Sequence, residues 1–367
     1  MRKVKVLTLL APLRAAGAER VAANLAVSTG QSSEFVSMVC ASRSGGELEA
    51  VLQAAGVEYR VLGRGHRFDI APFFRLVRWI RDEKIALIHS HMKGSNLWAS
   101  VIGRISGIPV LAHAHGQPTG AADAVINAAV ALLARRIVAV SERERSNLIQ
   151  SPLVPGRKVV AVHNGLDAAR YSVEAGASLR REFGFPDDAV VVGICAQLRP
   201  EKNHEIFLRA AHSIAGRSDR ARFLIIGDGV RRQTLENLAA DLNLDTRCAF
   251  AGHRSDVPEL LKYLDIGVLT SKREGLPLVV LEYMTSGLPV VSTAVGGIPE
   301  AIRSAQNGFL VPVGVAEALA DRIMKLIEAP ELRKRFSSRG REIFDQSFSE
   351  QAMLDKIFSL YRELLAS

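Results

Sequence analysis

Two carboxylates eight positions apart, Glu274 and Glu282, flank the uncharged run Gly275-Leu276-Pro277-Leu278-Val279-Val280-Leu281. The run comes after the apolar stretch 266–270, so it opens as the loop after a strand. Pro277 favours a helix start, because a proline in the first turn forfeits no hydrogen bond. The free N–H groups and the positive dipole end of such a helix suit a phosphate. Glu282 lies one turn further in and suits a ribose diol. Glu274, on the loop, suits the hydroxyls of a sugar. Spacing alone leaves two other readings open: a general acid and base, or a solvated face without a ligand.

A second group, Gln197-Leu198-Arg199-Pro200-Glu201-Lys202-Asn203, comes after the apolar run 190–195. Arg199 and Lys202 at a strand end could neutralise a diphosphate, or stand as plain surface cations. Gly227-Asp228-Gly229 reads as a tight turn, and no GxGxxG completes it. Gly17 precedes a helix and would let the backbone approach a ligand, or simply serve an ordinary turn. His89, His91, His113 and His115 fall at two strand ends. Histidine-x-histidine is a zinc-ligand spacing, but no carboxylate motif accompanies it, and His115-Gly116 reads better as a cleft-facing polar pair.

These groups need a scaffold. Short β-branched runs recur at 4–10, 36–41, 59–62, 87–89, 109–112, 137–140 and 159–162, and again at 190–195, 222–226, 248–251, 266–270, 290–292 and 309–311. Many are continuous rather than alternating, as in strands buried on both faces. Amphipathic segments such as 19–28, 73–83, 231–242 and 315–328 separate them, so parallel sheets covered by helices are expected. The pattern occurs twice, with a hinge expected near 166–180. This predicts two Rossmann-like domains: 1–170 joined by a returning helix within 349–367, and 171–348. Ligands of such sheets sit beyond the carboxyl ends of the strands.

Composition narrows the classes. The chain has 367 residues, 48% hydrophobic, and a net charge of +9, enough apolar content for two cores. Residues 1–178 carry 22 Lys and Arg against 13 Asp and Glu, while 179–367 carry 25 of each. A nucleic-acid binder, an anionic-membrane binder and a basic surface without a partner all fit that excess. No aromatic ladder or helix-turn-helix supports nucleic acid. Arg75, Arg78, Trp79 and Arg81 on one helix suit an anionic membrane. Cys40, Cys195 and Cys248 read as buried reduced thiols. Arg2, Lys3 and Lys5 before an apolar run resemble a signal peptide, but Arg14, Glu19 and Arg20 come so soon after it that a first strand fits better. A cytoplasmic protein, at most peripheral on the inner face of the membrane, is expected.

With these motifs assembled, the sequence resembles the family 4 glycosyltransferases. Glu274 and Glu282 match that family's E-x7-E motif. Gly287-Leu288-Pro289-Val290-Val291, Gly296-Gly297, Pro299-Glu300 and Asn307-Gly308 match the segments usual on its C-terminal side. Arg199 to Lys202, Gly227 to Gly229, Asn164-Gly165-Leu166-Asp167, Ser141 and Gly17 to Arg20 match in order. The resemblance implies the GT-B fold and a retaining transferase that needs no metal or other cofactor. Its donor would be a nucleotide-diphosphate sugar, with uracil the expected base by analogy. Its acceptor would be a glycan or glycolipid.

By position, Lys202 would bind the donor diphosphate with the backbone near Leu278 and Val279. Glu282 would hold the ribose and Glu274 the transferred sugar, with Gly275 and Leu276 on the loop between. Gly17 would approach the phosphates, and His115 would contact the sugar. The sequence departs from the family at Gln197, where an arginine is usual, and Arg199 is expected to supply the missing cation. A nucleotide-sugar 2-epimerase of the same fold is the alternative; the E-x7-E and Gly-Gly-x-Pro-Glu segments favour transfer.

Overall fold

The continuous apolar runs form strands, as their lack of alternation requires. The computed structural model describes residues 3–66, 69–116, 120–173 and 182–366. The expected hinge at 166–180 falls partly outside them. The chain divides into two compact units, Met1–Asn164 with Gln351–Ser367, and Gly165–Glu350.

In the first unit seven strands pair in the order β3-β2-β1-β4-β5-β6-β7. They are β1 (Val4–Pro12), β2 (Phe35–Ser44), β3 (Glu58–Val61), β4 (Leu87–His91), β5 (Val110–Ala114), β6 (Arg136–Ala139) and β7 (Val159–Ala161). All pairings are parallel. Each connection therefore crosses over, and helices such as Gly17–Gln31 and Lys93–Ser106 supply the crossovers. The strand order reverses between β1 and β4, which makes a topological switch point at the loop before Gly17 and at the end of β4.

The last helix, Glu350–Ala366, packs on this unit. Met353, Leu354, Ile357, Leu360, Tyr361 and Leu364 are its buried stripe. The Phe358 and Tyr361 rings lie 5.2 and 5.3 Å from that of Phe35. Arg362 pairs with Glu34 at 2.6 Å, and Arg136 with Glu363.

The second unit repeats the plan with six strands, β8 (Val190–Cys195), β9 (Ala221–Ile226), β10 (Cys248–Gly252), β11 (Ile266–Leu269), β12 (Val290–Thr293) and β13 (Gly308–Val311). Their order is β10-β9-β8-β11-β12-β13, again all parallel. Its switch point lies between β8 and β11. The loops leaving those two strands carry Gln197 to Lys202 and Ser271 to Pro277.

Two expectations are corrected. Trp79 is not on an exposed docking face: it is 3% exposed and lies in the core with Leu76 and Ile80, its ring covered by Arg60 at 4.5 Å. Positions 72, 76, 79 and 80 make one helical stripe, which the arginines Arg75, Arg78 and Arg81 flank. Of the three thiols, only Cys40 is fully buried; Cys195 and Cys248 are half-buried. Among the described residues no helix is long and apolar enough to cross a membrane.

Candidate functional site

Lys202 and Glu274 meet at the switch point of the second unit. Lys202 Nζ donates to Glu274 Oε1 at 2.5 Å, and Ser271 Oγ donates to the same oxygen at 2.6 Å. The two loops are tied by backbone as well. Thr270 Oγ1 donates to Lys202 O at 2.8 Å, and Lys272 N–H donates to Glu201 O at 2.8 Å. Thr293 Oγ1 donates to Ser271 O at 2.7 Å, which adds β12 to the support.

Glycine fixes this geometry where a side chain would not fit. Gly296 has φ +55°, and a Cβ there would lie 2.0 Å from Glu274 O. The next residue, Gly297, donates its N–H to Gly275 O at 2.5 Å. Gly227 and Gly229 act on the other loop. Their Cβ atoms would meet Ala196 O at 2.1 Å and Leu198 O at 2.7 Å, and Leu198 N–H donates to Asp228 O at 3.0 Å. That turn seats the loop bearing Gln197 and Arg199, a structural task that accounts for its glycines without a phosphate.

The helix Leu278–Thr285 starts after Pro277, an extended cap residue without a capping side chain. Among the described residues the N–H groups of Leu278 and Val279 donate to nothing, as first-turn groups do unless capped. They provide two donors and the positive dipole end beside the Lys202–Glu274 pair. Glu282 is 2% exposed and Leu276 is 3% exposed; Gly275 is buried. Gln197 and Arg199 are both exposed, and among the described residues no ion pair or side-chain hydrogen bond engages Arg199. The structure thus joins Glu274 to Lys202 and leaves Arg199 free on the same loop. Ser271 was missed in the sequence, where a serine at a strand end carries no distinctive signal.

His204, next to that loop, is buried, and among the described residues neither ring nitrogen makes a well-formed hydrogen bond. Burial, then the nearby charge of Lys202, lowers its pKa to about 4.

In the first unit, Gly17 is the first residue of its helix, and among the described residues nothing lies within 4 Å of where its Cβ would be. No packing demand from the described residues requires glycine there. His115 stands half-buried beyond β5, and its Nε2 lies 2.9 Å from His91 Nδ1. His89, His91 and His113 are fully buried beside it, with ring nitrogens within 4.8 Å of one another. His89 Nε2 faces His113 Nδ1 at 3.2 Å and His89 Nδ1 faces Tyr361 Oη at 2.7 Å. These are hydrogen-bonding separations. Burial first, and then neighbouring histidines, hold the pKa of His89, His91 and His113 well below the usual value; burial lowers that of His115 to about 3. Beside them Glu144 is buried with neither carboxylate oxygen in a well-formed hydrogen bond. Burial raises its pKa to about 8, tempered by the backbone N–H groups near Gly116 and Val140.

Comparison with known proteins adds a family pattern. Residues 177–343 match the model "Glycosyl transferases group 1" and residues 15–170 match "Glycosyltransferase Family 4". The chain is 29% identical over 211 residues to the N-acetyl-alpha-D-glucosaminyl L-malate synthase of Bacillus anthracis, covering 58% of this chain and 55% of that protein. It therefore spans about half the length of that relative. It is 24% identical over 316 residues to the UDP-Gal:alpha-D-GlcNAc-diphosphoundecaprenol alpha-1,3-galactosyltransferase of Escherichia coli, covering 82% and 81% of the two. Among solved structures, Anabaena HepE in complex with UDP-glucose superposes with a TM-score of 0.87 at 22% identity, over 98% of this chain and 99% of that one.

Proposed function

The chain belongs to the family 4 glycosyltransferases, with the GT-B fold, and from that premise we propose that it moves a sugar from a nucleotide-diphosphate donor to a glycan or lipid-linked glycan acceptor, with retention of configuration. The observation that carries this reading is the Lys202–Glu274 pair beside the uncapped N-terminus of Leu278–Thr285. Breaking the bond to the anomeric carbon leaves negative charge on the diphosphate and positive charge on the ring. Lys202, Arg199 and the N–H groups of Leu278 and Val279 oppose the first charge. Glu274 accepts from sugar hydroxyls, and Glu282 from the ribose once the site admits the nucleotide. When the acceptor enters on the face that the donor leaves, the departing phosphate takes the acceptor proton, so no protein nucleophile is required. A UDP-linked donor is the first to test, since one similar protein carries UDP-Gal in its name and another was solved in complex with UDP-glucose.

The direct test incubates the protein with nucleotide-sugars, with and without lipid-linked or soluble glycan acceptors, and measures the nucleotide diphosphate released. Release that depends on both donor and acceptor supports transfer. Epimerisation of the donor without an acceptor would contradict it.

Arg199 is expected to replace the arginine that Gln197 lacks. Arg199→Ala should weaken donor binding about tenfold, the scale of one charge-assisted contact, while leaving Tm unchanged because the side chain holds nothing in the fold. Unchanged donor affinity by calorimetry would remove Arg199 from the site.

Gly296 and Gly17 are expected to respond differently to alanine. Gly296→Ala should cost about 2–3 kcal/mol, through a backbone clash and a left-handed φ, and should disable transfer. Gly17→Ala meets open space and should leave Tm equal or slightly higher, yet lower kcat/KM about tenfold if a ligand approaches its backbone. Melting curves and initial rates for the two variants check both halves; a Gly17→Ala enzyme of full activity would leave Gly17 as an ordinary turn residue.

A membrane-facing role rests on a narrower surface than the sequence suggested. Ile70 and Phe74 are 68% and 64% exposed, and Arg78 is exposed further along the same helix. Flotation with anionic liposomes should recover the protein, and Phe74→Glu should abolish recovery; equal behaviour with neutral liposomes would contradict the role.

A further inference from the structure

The four imidazoles of the first unit form two hydrogen-bonded pairs laid one on the other. The His89 and His113 rings are parallel to within 1°, with facing nitrogens at 3.2 Å. His91 and His115 are inclined by 27°, with facing nitrogens at 2.9 Å. Between the layers, His113 stacks on His115 and His89 lies over His91 with its plane tilted by 32°, each with ring centroids 4.4 Å apart. Residues two apart on adjacent parallel strands project from the same face, and the register sets His91 beside His113.

The proton positions can be deduced from the atoms left over. A neutral imidazole carries one proton, so one nitrogen donates and the other accepts. Two nitrogens, His91 Nε2 and His113 Nε2, are buried with no partner among the described residues. A buried N–H without an acceptor is rarer than a buried lone pair without a donor. Both Nε2 atoms therefore hold lone pairs, and both protons sit on Nδ1. His113 Nδ1–H then donates to His89 Nε2, and His89 Nδ1–H donates to Tyr361 Oη at 2.7 Å, whose own proton turns to Thr29 Oγ1, itself donating to Leu25 O. In the other layer His91 Nδ1–H donates to His115 Nε2. That leaves the proton of His115 on its own Nδ1. Every bond in the array has one donor, and all four rings share one tautomer.

We propose that His91 is a positioning residue that fixes His115 as the Nδ1–H tautomer, so that His115 presents a hydrogen-bond donor and not a lone pair. The backbone supports this. Met92, immediately after His91, holds φ +70° and ψ 154°, a conformation costly for any residue but glycine. It is pinned there by its N–H donating to His113 O at 3.1 Å and by Asn96, whose Nδ2 donates to the same oxygen at 3.0 Å. The lowered pKa of His115, about 3, keeps the ring neutral at working pH. A neutral Nδ1–H donor can bond a sugar oxygen but cannot take the acceptor's proton, which agrees with a departing phosphate doing so. What His115 meets rests on the transfer reading above; its tautomer does not.

The test labels histidine with 15N and reads the protonated nitrogen of His115 by long-range 1H–15N correlation, assigned with His115→Ala. The expected result is Nδ1–H in the unaltered protein. His91→Asn, whose side-chain amide nitrogen sits where Nδ1 does, should keep that tautomer and most of the kcat. His91→Phe keeps the ring stack but not the donor. It should shift His115 to Nε2–H and lower kcat about tenfold or more, with donor KM within about threefold. His115 protonated on Nε2 in the unaltered protein, or still on Nδ1 in His91→Phe, would overturn the proposal. If His91→Phe fails to fold, the unaltered protein and His91→Asn decide. If His115→Ala transfers sugar at the full rate while the tautomers behave as expected, the role of His115 in transfer falls and the positioning by His91 stands.

Discussion

Lys202→Met is expected to lower kcat/KM for sugar transfer by about 10²–10³-fold, the loss typical when one preorganised group facing developing charge is removed. The methylene stem is retained, so packing changes little. Glu274 keeps the Ser271 hydroxyl at 2.6 Å after Lys202 is gone, and both side chains of the pair reach solvent. The stability cost should accordingly be small, about 1 kcal/mol or less. Lys202→Arg should recover part of the rate, since the charge returns with a different shape. Donor-saturated rates and melting curves separate the two effects. A Lys202→Met enzyme within about threefold of the unaltered rate would show that Lys202 serves only to hold Glu274 in place.

Acidification is expected to unfold the first unit before the second. A histidine with a folded pKa below its unfolded value near 6.5 takes up a proton on unfolding. Its stabilising contribution is intact above about pH 6.5 and is lost as the pH falls, at about 1.4 kcal/mol per pH unit. The first unit holds four such histidines, His89, His91, His113 and His115, while His204 lies in the second. Glu144, also in the first unit, has the opposite sign. Its folded pKa of about 8 means that its destabilising effect at neutral pH is relieved as the pH falls toward the unfolded value of 4.5. Four groups that gain a proton on unfolding, against one that loses it, give the first unit the steeper loss of stability as the pH falls below about 6.5. The only two tryptophans of the chain, Trp79 and Trp98, both lie in the first unit. Urea unfolding monitored by tryptophan fluorescence should therefore show a midpoint much lower at pH 5.5 than at pH 7.5. Equal midpoints would mean that water or a counter-ion keeps the imidazoles protonatable in the folded state.

Much of the architecture could be read from the chain, because buried parallel strands write themselves as continuous apolar runs and their crossovers as amphipathic ones. Glu274 and Lys202 were each legible at a strand end. Their pairing was not, since 72 residues separate them and only the order β8-β11 brings their loops together. The histidine spacing was equally plain, yet it fitted a zinc site or a cleft. The register His91↔His113 and a tyrosine 272 residues from His89 made it a hydrogen-bonded array. Gly227 read as a turn residue, whereas the close approach of Ala196 O is what excludes a side chain there. Trp79 shows the reverse: the helical period already placed it with Leu76 and Ile80, and grouping it with its arginine neighbours hid that.

The loops at Gln197 to Lys202 and Ser271 to Pro277, with the start of the helix Leu278–Thr285, are held to grip a nucleotide-sugar. Hydrogen–deuterium exchange with and without a saturating UDP-hexose tests this most directly. The expected result is slowed exchange concentrated in 196–204 and 271–285, with the Leu278 and Val279 amides among the most protected. Binding of the donor with protection confined to other segments would contradict it.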